Sequence, residues 1–433
     1  MSPVEIGILG VVVLFVLMFL GMHIGLAMGL VAFSGLAVLT NLDAALLRLG
    51  SASLGITLSY TIAVLPLFML MGEFAFVSGL TSDAYYAAHK WLGRFPGGLG
   101  MATIAGCAGF SAICGSSIAT TTTVGAVALP EMRRYNYSHN LSIGSIAAGG
   151  TMGILIPPSA GFILYGIINE ESIGELFMAG ILPGLLLSFL FIMTIFIMVK
   201  RNPKLAPAGP KIGWGERIGV FKDIWGVVIV FIIVMGGIYS GIFTPTEAGA
   251  VGALCAFLIA LLRKKLSREN LRNAFLNMLG TTGMVFLILI GAIFFGYFLA
   301  ASRLTIAMAD FVVALPLPPL IVLIAILFLF LILGCVMDPF AMLMIVVPIL
   351  VPIVKGMGFN PIWFGVLTVI MMELGMITPP VGMNVFIMKG VAGDIPMHVI
   401  FKGLFPFVLA MAVCVAVIVA FPQIALFLPN TMH

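Results

Sequence analysis

The chain has 433 residues, of which 62% are hydrophobic and only 8% are charged. Soluble domains carry about 25% charged residues, so this composition excludes a soluble globular protein and indicates an integral membrane protein. The net charge is +4 and the basic residues cluster in loops, which argues against nucleic acid as a partner. The apolar segments are helical or continuous rather than alternating, so an all-α membrane protein is predicted and not an outer-membrane barrel.

Polar loops divide the chain into five predicted segments. We expect a short polar turn at 41–50 among the first helices and a basic loop at 79–97. The longest polar stretch is the linker at 200–222. The segments are N-terminal scaffold helices at 1–52, a first repeat at 53–199, a linker with two scaffold helices at 200–272, a second repeat at 273–421 and a C-terminal tail at 422–433.

An uncharged run extends from Phe95 to Pro130, 36 residues counting both ends. One straight helix of this length would reach about 54 Å, whereas the apolar core of a bilayer is about 30 Å thick. The centre of the run, FSAICGSSIATTTTVGAVALP, is rich in glycine, serine and threonine. Non-helical backbone at membrane depth survives only where it is buried in protein or lines a cavity. The run therefore predicts a helical hairpin at about 97–130.

The distribution of basic residues predicts which loops face the cytoplasm. The stretch at 95–130 lies between two basic loops, so both ends of its hairpin are expected on the cytoplasmic side. The acidic loop at 169–175 is expected outside. The loops predicted to be cytoplasmic are 79–97, 131–140, 200–222 and 263–272.

An internal repeat provides a partner for this hairpin. Four matches occur in one order with a nearly constant shift, although each alone is a weak signal. They are GILIPP from Gly153 with GMITPP from Gly375 (375 − 153 = 222), Gly180–Pro183 with Gly403–Pro406 (223), Gly115 with Gly334 (219), and Gly72 and Ser78 with Gly296 and Ser302 (224).

The repeat predicts a second hairpin at about 319–354, split near Gly334–Pro339, which opens toward the outside. Two breaks at proline pairs are predicted as well, at Pro157-Pro158 and at Pro379-Pro380. Inverted repeats with broken helices are typical of secondary transporters, which bind ions and substrate near the membrane midplane. The predicted fold class is therefore an all-α, inverted-repeat, elevator-type transporter with two re-entrant helical hairpins.

The tips of the hairpins and the proline breaks are the candidate sodium sites, because unwound carbonyls, hydroxyls and carboxylates supply the oxygen ligands that sodium prefers. The alternative is that the small residues only permit close helix packing. Asp338 is either a functional carboxylate at membrane depth or a structural one. The candidates are Ser111, Gly115, Ser116, Ser117, Gly153, Ile156 and Pro158 in the first repeat, and Gly334, Asp338, Gly375 and Thr378 in the second.

Three further charged residues lie in or beside apolar runs. Glu73 and Glu373 either carry a proton or join helices by hydrogen bonds. Arg303, at the end of a long apolar helix, is able to hold a substrate carboxylate as a two-pronged donor. It is equally able to extend its charged head to the membrane surface.

Five motifs in order resemble the large membrane subunit of tripartite ATP-independent periplasmic (TRAP) transporters over nearly the whole chain. They are SAICGSSIAT, GILIPPS, TPTEAGA, DPFAMLMIVVPI and GMITPPVGMN. The resemblance implies a sodium-coupled elevator importer in the bacterial inner membrane. It also implies two partners, a small four-helix membrane subunit and a periplasmic substrate-binding protein, and substrates that are C4-dicarboxylates, sialic acid or related sugar acids.

The same resemblance implies the positions of the sites. One sodium site maps onto Ser111, Cys114, Gly153, Ile156 and Pro158, and a second maps onto Gly334, Gly375 and Thr378, with Asp338 close by. Cys114 stands where a serine is common in the family. Because a thiol is a poor sodium ligand, only its backbone carbonyl is expected to take part. The residues expected to bind substrate are Arg303, Ser116 and Asn384.

Several alternatives stay open from the sequence. No GxxxxGK[ST] loop is present, which argues against ATP as the direct energy source and against an ATPase partner. Proton coupling through Glu73, Asp338 and Glu373 competes with sodium coupling. An intramembrane enzyme lacks support from HExxH or GxSxG motifs, and a channel would not accumulate substrate. The sequence names neither the transported carboxylate nor the sodium stoichiometry.

Overall fold

The computed structural model describes residues 1–207, 213–314, 316–393 and 395–432, and this part of the chain is helical. The predicted linker at 200–222 therefore lies partly outside the described residues. The helices of the first half are α1 (Pro3–Phe19), α2 (Ile24–Leu39), α3 (Leu42–Thr57), α4 (Val64–Ser78), α5 (Leu80–Leu92), α6 (Gly98–Cys114), α7 (Ser117–Arg134), α8 (His139–Leu155), α9 (Ala160–Asn169) and α10 (Ile173–Arg201).

The second half continues the same pattern after the linker. Eight helices of the described part are long and apolar enough to cross a membrane, which agrees with the predicted multi-pass protein. The helices are α11 (Trp214–Gly219), α12 (Phe221–Tyr239), α13 (Pro245–Leu262), α14 (Arg268–Ala301), α15 (Leu304–Ala314), α16 (Pro319–Gly334), α17 (Pro339–Gly356), α18 (Pro361–Met376), α19 (Met383–Ala392), α20 (Met397–Ala420) and α21 (Gln423–Leu426).

The internal repeat is visible as a recurring order of helices, since α4–α10 correspond to α14–α20. Both copies contain a helical hairpin, α6–α7 or α16–α17, and a broken helix, α8–α9 or α18–α19. The starts of α7 and α17 differ by 222 residues (339 − 117), and those of α10 and α20 by 224 (397 − 173). The predicted hairpins and proline breaks are thus confirmed. The side of the membrane on which each hairpin opens stays a prediction.

Two segments that were expected to be loops are helical. The predicted polar turn at 41–50 is wrong, because Asn41 caps α3 by accepting a hydrogen bond from the Ala44 backbone N–H at 2.8 Å. The predicted loop at 79–97 is also largely wrong, since α5 occupies most of it and has one buried face. Short amphipathic helices lack the long apolar run that reveals a membrane span, so counting apolar residues missed both.

Two of the predicted segment boundaries fall inside helices. The one at 52 lies inside α3, and the one at 272 lies inside α14, which begins at Arg268 because the Ser267 hydroxyl accepts from the Asn270 backbone N–H at 3.0 Å. A capping box at Thr244–Glu247 starts α13. Its carboxylate accepts from the Thr244 backbone N–H at 2.8 Å.

Glycines bring several helix pairs into direct backbone contact. A Cβ at Gly291 in α14 would lie 2.3 Å from the carbonyl oxygen of Gly25 in α2, and one at Gly144 in α8 would lie 2.5 Å from that of Gly403 in α20. Membrane helices associate closely where small residues permit such approach. We call α1–α4 and α12–α14 the scaffold. The two hairpins and two broken helices, with α10 and α20, form the second unit.

Candidate functional site

The first hairpin turns within two residues, Gly115 and Ser116, which we call tip 1. Gly115 has a φ of +66°, a left-handed conformation that favours glycine. Ser116 caps α7 by accepting a hydrogen bond from the Ala119 backbone N–H at 3.4 Å. The local sequence Gly-Ser thus ends one helix and starts the next without a longer loop.

Tip 1 lies against the break between α8 and α9, residues 156–159, which we call break 1. A Cβ at Gly115 would lie 2.7 Å from the Pro158 carbonyl oxygen, and one at Gly153 would lie 2.5 Å from the Ser116 carbonyl oxygen. The Ala160 backbone N–H donates to the Gly115 carbonyl at 3.4 Å. Backbone oxygens of two interrupted helices therefore meet at one place, as the sequence predicted for a sodium site.

Other predicted ligands of the first site surround this contact in different ways. The Ser111 side chain is fully buried, and its hydroxyl donates to the Cys107 carbonyl in its own helix at 2.6 Å, which leaves its oxygen able to accept. Cys114 is the last residue of α6, and its carbonyl oxygen would lie 3.1 Å from a Cβ at Gly72 in α4. The Ile156 side chain packs on Gly184 of α10, so only its backbone faces the break.

The second hairpin turns over four residues, Cys335–Asp338, which we call tip 2. Asp338 caps α17, because its Oδ1 accepts from the backbone N–H groups of Phe340 at 2.9 Å and Ala341 at 3.3 Å. The longer turn explains why the sequence match of Gly115 with Gly334 had the smallest shift. Gly334 lies five residues before the start of α17, whereas Gly115 lies two residues before the start of α7.

Beside tip 2, the end of α16 contacts α18 shortly before the break between α18 and α19, residues 377–382, which we call break 2. A Cβ at Gly375 would lie 2.5 Å from the Gly334 carbonyl carbon, so these two predicted ligands touch through their backbones. The Thr378 hydroxyl donates to the Leu374 carbonyl at 2.6 Å, and its backbone N–H donates to the Gly375 carbonyl at 3.1 Å. The Asp338 carboxylate is engaged at the helix start and also borders a separate apolar cavity beside His23.

A buried hydrogen bond beside tip 1 joins the two repeats directly. The hydroxyl of Ser117, the first residue of α7, donates to Oε1 of Glu373 in α18 at 2.6 Å. Both side chains are buried, and Glu373 Oε2 has no hydrogen-bond partner in the described part of the chain. The sequence singled out both residues, yet a separation of 256 positions gave no sign that they pair.

Asn384, expected to bind substrate, is fully buried near the start of α19. Neither its amide nitrogen nor its amide oxygen has a partner among the described residues. α19 packs on α7, since a Cβ at Gly125 would meet the Met388 sulfur at 3.6 Å. Asn384 therefore lies one turn before a contact with the hairpin and not on an open surface.

A cavity of about 460 Å³ opens between the scaffold and tip 1. Its size suits a small-molecule site, for which about 300–1,000 Å³ is usual. α4 and α14 form one wall, and tip 1 with α7 forms the other. The polar side chains that line it are Glu73, Cys114, Ser116, Thr122, Thr123, Asn277 and Thr281.

Within this cavity Glu73 Oε2 accepts a hydrogen bond from the Asn277 side-chain amide at 3.2 Å. The pair joins α4 to α14, which agrees with one of the two roles that the sequence allowed for Glu73, the joining of helices by hydrogen bonds. Asn277 carried no sequence signal, because a single asparagine in a long helix is not distinctive. Its importance follows only from the packing of α14 on α4.

Arg303 lies apart from these groups. It occupies a left-handed turn between α14 and α15 with a φ of +58°, matching Gly79 between α4 and α5 with a φ of +85°. Its side chain is exposed, and it lines neither of the two cavities described above. The structure thus brings Ser116 into the cavity and leaves Arg303 outside it.

The fold and the paired tips define a membrane transporter with two helical hairpins. The solved structure of the Alcanivorax borkumensis YdaH transporter has the same fold, with a TM-score of 0.65, 14% identity and coverage of 89% of this chain and 90% of that one. At this identity the likeness concerns the fold alone.

The chain belongs to the family "Tripartite ATP-independent periplasmic transporter, DctM component", which matches residues 11–424. It is 35% identical over 373 residues to the C4-dicarboxylate TRAP transporter large permease protein DctM of Pseudomonas aeruginosa, covering 86% of both chains. It is 33% identical over 416 residues to the sialic acid TRAP transporter large permease protein SiaM of Vibrio cholerae, covering 96% of both. The chain is therefore a multi-pass transporter subunit of the inner membrane and not an enzyme.

Proposed function

We propose that this chain is the membrane-embedded transport subunit of a sodium-coupled importer that takes up an organic anion from a periplasmic binding protein. The family description supports a three-component system, in which a small membrane subunit is the further partner. The candidate substrates are those named for the relatives, C4-dicarboxylates and sialic acid, and related carboxylates.

The observation that carries the proposal is the contact of each tip with a broken helix. Tip 1 meets Gly153 and Pro158, and Gly334 beside tip 2 meets Gly375. At tip 1 the contact gathers unwound carbonyl oxygens from segments that otherwise have no reason to be irregular inside a membrane, and beside tip 2 it brings the C-terminal end of α16 onto the backbone of Gly375. Sodium bound there would order both tips. Substrate would then bind next to the ordered tips, and by linkage each ligand would raise the affinity for the other equally.

The proposed movement is an elevator displacement of the second unit past the scaffold. α5 and α15 are the connections, each following a left-handed residue that turns the chain, Gly79 or Arg303. α5 is held to the scaffold by Arg263, which forms an ion pair with Asp83 and donates to the Asp223 carbonyl at 3.3 Å. The cavity between the two units would be the route by which substrate leaves.

The test is uptake into proteoliposomes that contain this chain and its small membrane subunit, with the binding protein outside. Labelled N-acetylneuraminate and succinate are the probes. We expect uptake of one probe to require an inward sodium gradient and to exceed the equilibrium level. Accumulation driven by a pH gradient without sodium, or equilibration without accumulation, would contradict the proposal.

Proton coupling is the second candidate, and one observation favours it. Glu373 is buried with an unpartnered Oε2 in the described part of the chain, which is unusual for a carboxylate in a membrane protein. In that case the pH gradient alone would drive uptake, and Glu373→Gln would abolish it. Under sodium coupling the same variant would keep its sodium dependence.

A further inference from the structure

An exposed apolar stripe on α10 ends in two basic residues. The members of the stripe share one face of the helix and are Leu185, Phe189, Met193, Phe196 and Ile197. Lys200 follows Phe196 by four residues and Arg201 follows Ile197 by four, so both continue this face, and both are exposed. The helix therefore presents a surface that is apolar along its length and cationic at its end.

A third cation lies beside this end of α10. The loop after α5 packs on the last turn of α10, because a Cβ at Gly97 would lie 2.9 Å from Val199 Cγ2. Arg94 in this loop is exposed, and its guanidinium carbon lies 4.6 Å from the centre of the Phe95 ring. Contact with an aromatic ring orients a guanidinium group while the N–H groups at its edge stay able to donate.

We call Arg94, Lys200 and Arg201 the cationic cluster. None of these three side chains forms an ion pair within the part of the chain that the structure describes. By contrast, Lys90, one turn before Arg94, pairs with Glu216 at 3.8 Å. Guanidinium and ammonium groups only donate hydrogen bonds, so the cluster suits an anion with several acceptor oxygens, as a phosphate has.

The position of the cluster fits the cytoplasmic surface of the membrane. The two loops that contribute to it, 79–97 and 200–222, are both predicted to be cytoplasmic from their basic residues. The 11 residues from Phe189 to Lys200 span about 17 Å of helix, close to half of the ~30 Å apolar core of a bilayer. A lipid whose acyl chain lies along the stripe would therefore place its headgroup at the cluster.

The second repeat contains a similar stripe without the cluster. In α20, the counterpart of α10, Phe405, Leu409 and Val413 are exposed at a spacing of four residues. The residues that follow α20, 421–423, carry no charge. Contact with acyl chains alone thus requires no basic residues at the end of the stripe, which indicates that the cluster has a separate partner.

We propose that the cationic cluster and the stripe on α10 form a binding site for an anionic phospholipid of the cytoplasmic leaflet. The phosphate would accept hydrogen bonds from Arg94, and Lys200 and Arg201 would balance the net negative charge of the headgroup. A zwitterionic lipid binds more weakly, because its own ammonium group already offsets the phosphate. The site lies apart from both tips, so this inference does not rest on the function proposed above.

The test is native mass spectrometry of the detergent-purified complex of this chain with its small membrane subunit. Dioleoyl phosphatidylglycerol and dioleoyl phosphatidylcholine are titrated separately, since their acyl chains are identical and only the headgroup charge differs. We expect the first phosphatidylglycerol to bind roughly tenfold more tightly than the first phosphatidylcholine, because each cation near an anionic headgroup raises affinity several-fold.

The triple variant Arg94→Gln, Lys200→Gln and Arg201→Gln removes the charge of the cluster, so the preference should fall below about twofold. The single variant Arg94→Gln should lower it roughly threefold, and it provides the same test if the triple variant does not fold. Arg94→Lys keeps the charge and should retain most of the preference.

The matched control removes three exposed cations from another loop that is predicted to be cytoplasmic, through Lys264→Gln, Lys265→Gln and Arg268→Gln. It should leave the preference unchanged. The inference is overturned if the two lipids bind equally, which is also the result expected if the small membrane subunit covers the stripe. It is equally overturned if the cluster variants keep the preference, or if the control loses as much, because the charge would then act without a defined site.

Discussion

The two hairpin tips perform the same structural task with different chemistry. Tip 1 turns in two residues, with a left-handed Gly115 and a neutral cap, Ser116. Tip 2 takes four residues, and its cap is the carboxylate of Asp338. Each tip lies at a glycine-mediated backbone contact with a broken helix, through Gly153 or Gly375. The shared feature is thus close backbone approach, while the charge differs.

The difference shows which part of each tip is under physical constraint. Contact between two backbones tolerates no Cβ, so glycine is required wherever the tip meets the break. The helix start after the tip needs only an oxygen that accepts from the first N–H groups, and serine and aspartate both provide one. Capping therefore does not require the negative charge of Asp338, so the function of this charge is the question to test.

The largest effect is expected where a methyl group would strike backbone. In Gly153→Ala and Gly375→Ala the new Cβ lies 2.5 Å from the Ser116 carbonyl oxygen and the Gly334 carbonyl carbon, respectively. Neither clash can be relieved by rotating a side chain, because the atoms that the new Cβ meets belong to the backbone. Each substitution should therefore lower the free energy of unfolding by about 1–3 kcal/mol. Transport should fall more than tenfold in both, as measured by thermal unfolding and proteoliposome uptake.

The control for these variants is Gly296→Ala, because a Cβ there meets no atom within 4 Å. Within helix α14 this change should be neutral or stabilise by up to about 1 kcal/mol. A severe loss of transport in Gly153→Ala with none in Gly375→Ala would contradict the comparison, since it would mean that only tip 1 depends on close backbone contact.

The second prediction isolates the charge of tip 2. Asn is as good a helix cap as Asp, so Asp338→Asn should change the free energy of unfolding by less than about 0.5 kcal/mol. If the carboxylate attracts sodium, the apparent sodium affinity of uptake should fall roughly tenfold. An unchanged sodium dependence would show that Asp338 acts as a helix cap alone.

The third prediction concerns the hydrogen bond from Ser117, the residue after tip 1, to Glu373 in the other repeat. Ser117→Ala removes the donor to Glu373 and leaves a buried carboxylate without a partner, which should destabilise by about 1–3 kcal/mol. In a Glu373→Leu background the same change should be nearly neutral, because the partner is gone. Thr122→Ala on the exposed side of α7 is the control. Additive effects in the double variant would contradict a direct interaction.

The sequence predicted the fold well because its signals were strong. Long uncharged runs, proline pairs and a repeat with a constant shift are each consequences of the membrane and the duplication, so the hairpins and breaks followed from them. The assignment of Gly115 and Pro158 to one site rests on the same logic, since irregular backbone inside a membrane must be buried in protein or line a cavity. α3 and α5 were missed because amphipathic helices do not differ from loops in apolar content.

The candidate site was less predictable, because its pairs depend on how helices pack. Ser117 with Glu373 and Glu73 with Asn277 join positions far apart, with no spacing rule to connect them. Arg303 was a reasonable candidate by charge, yet its turn lies at the end of α14 and away from the cavity lining. A single sequence indicates which residues are costly to place in a membrane, but not which of them meet.

The smallest expected effect concerns the labelling rates of two cysteines, Cys114 directly before tip 1 and Cys335 within tip 2. Cys114 lines the cavity beside tip 1, whereas Cys335 in tip 2 is buried and lines neither cavity described above. Maleimide should therefore label Cys114 faster, and replacing sodium by potassium should raise its rate several-fold, because an unoccupied tip opens locally more often. Mass spectrometry of Cys114→Ser and Cys335→Ser variants separates the two rates. A sodium-sensitive rate at Cys335 alone would reverse the comparison and make tip 2 the element that sodium orders.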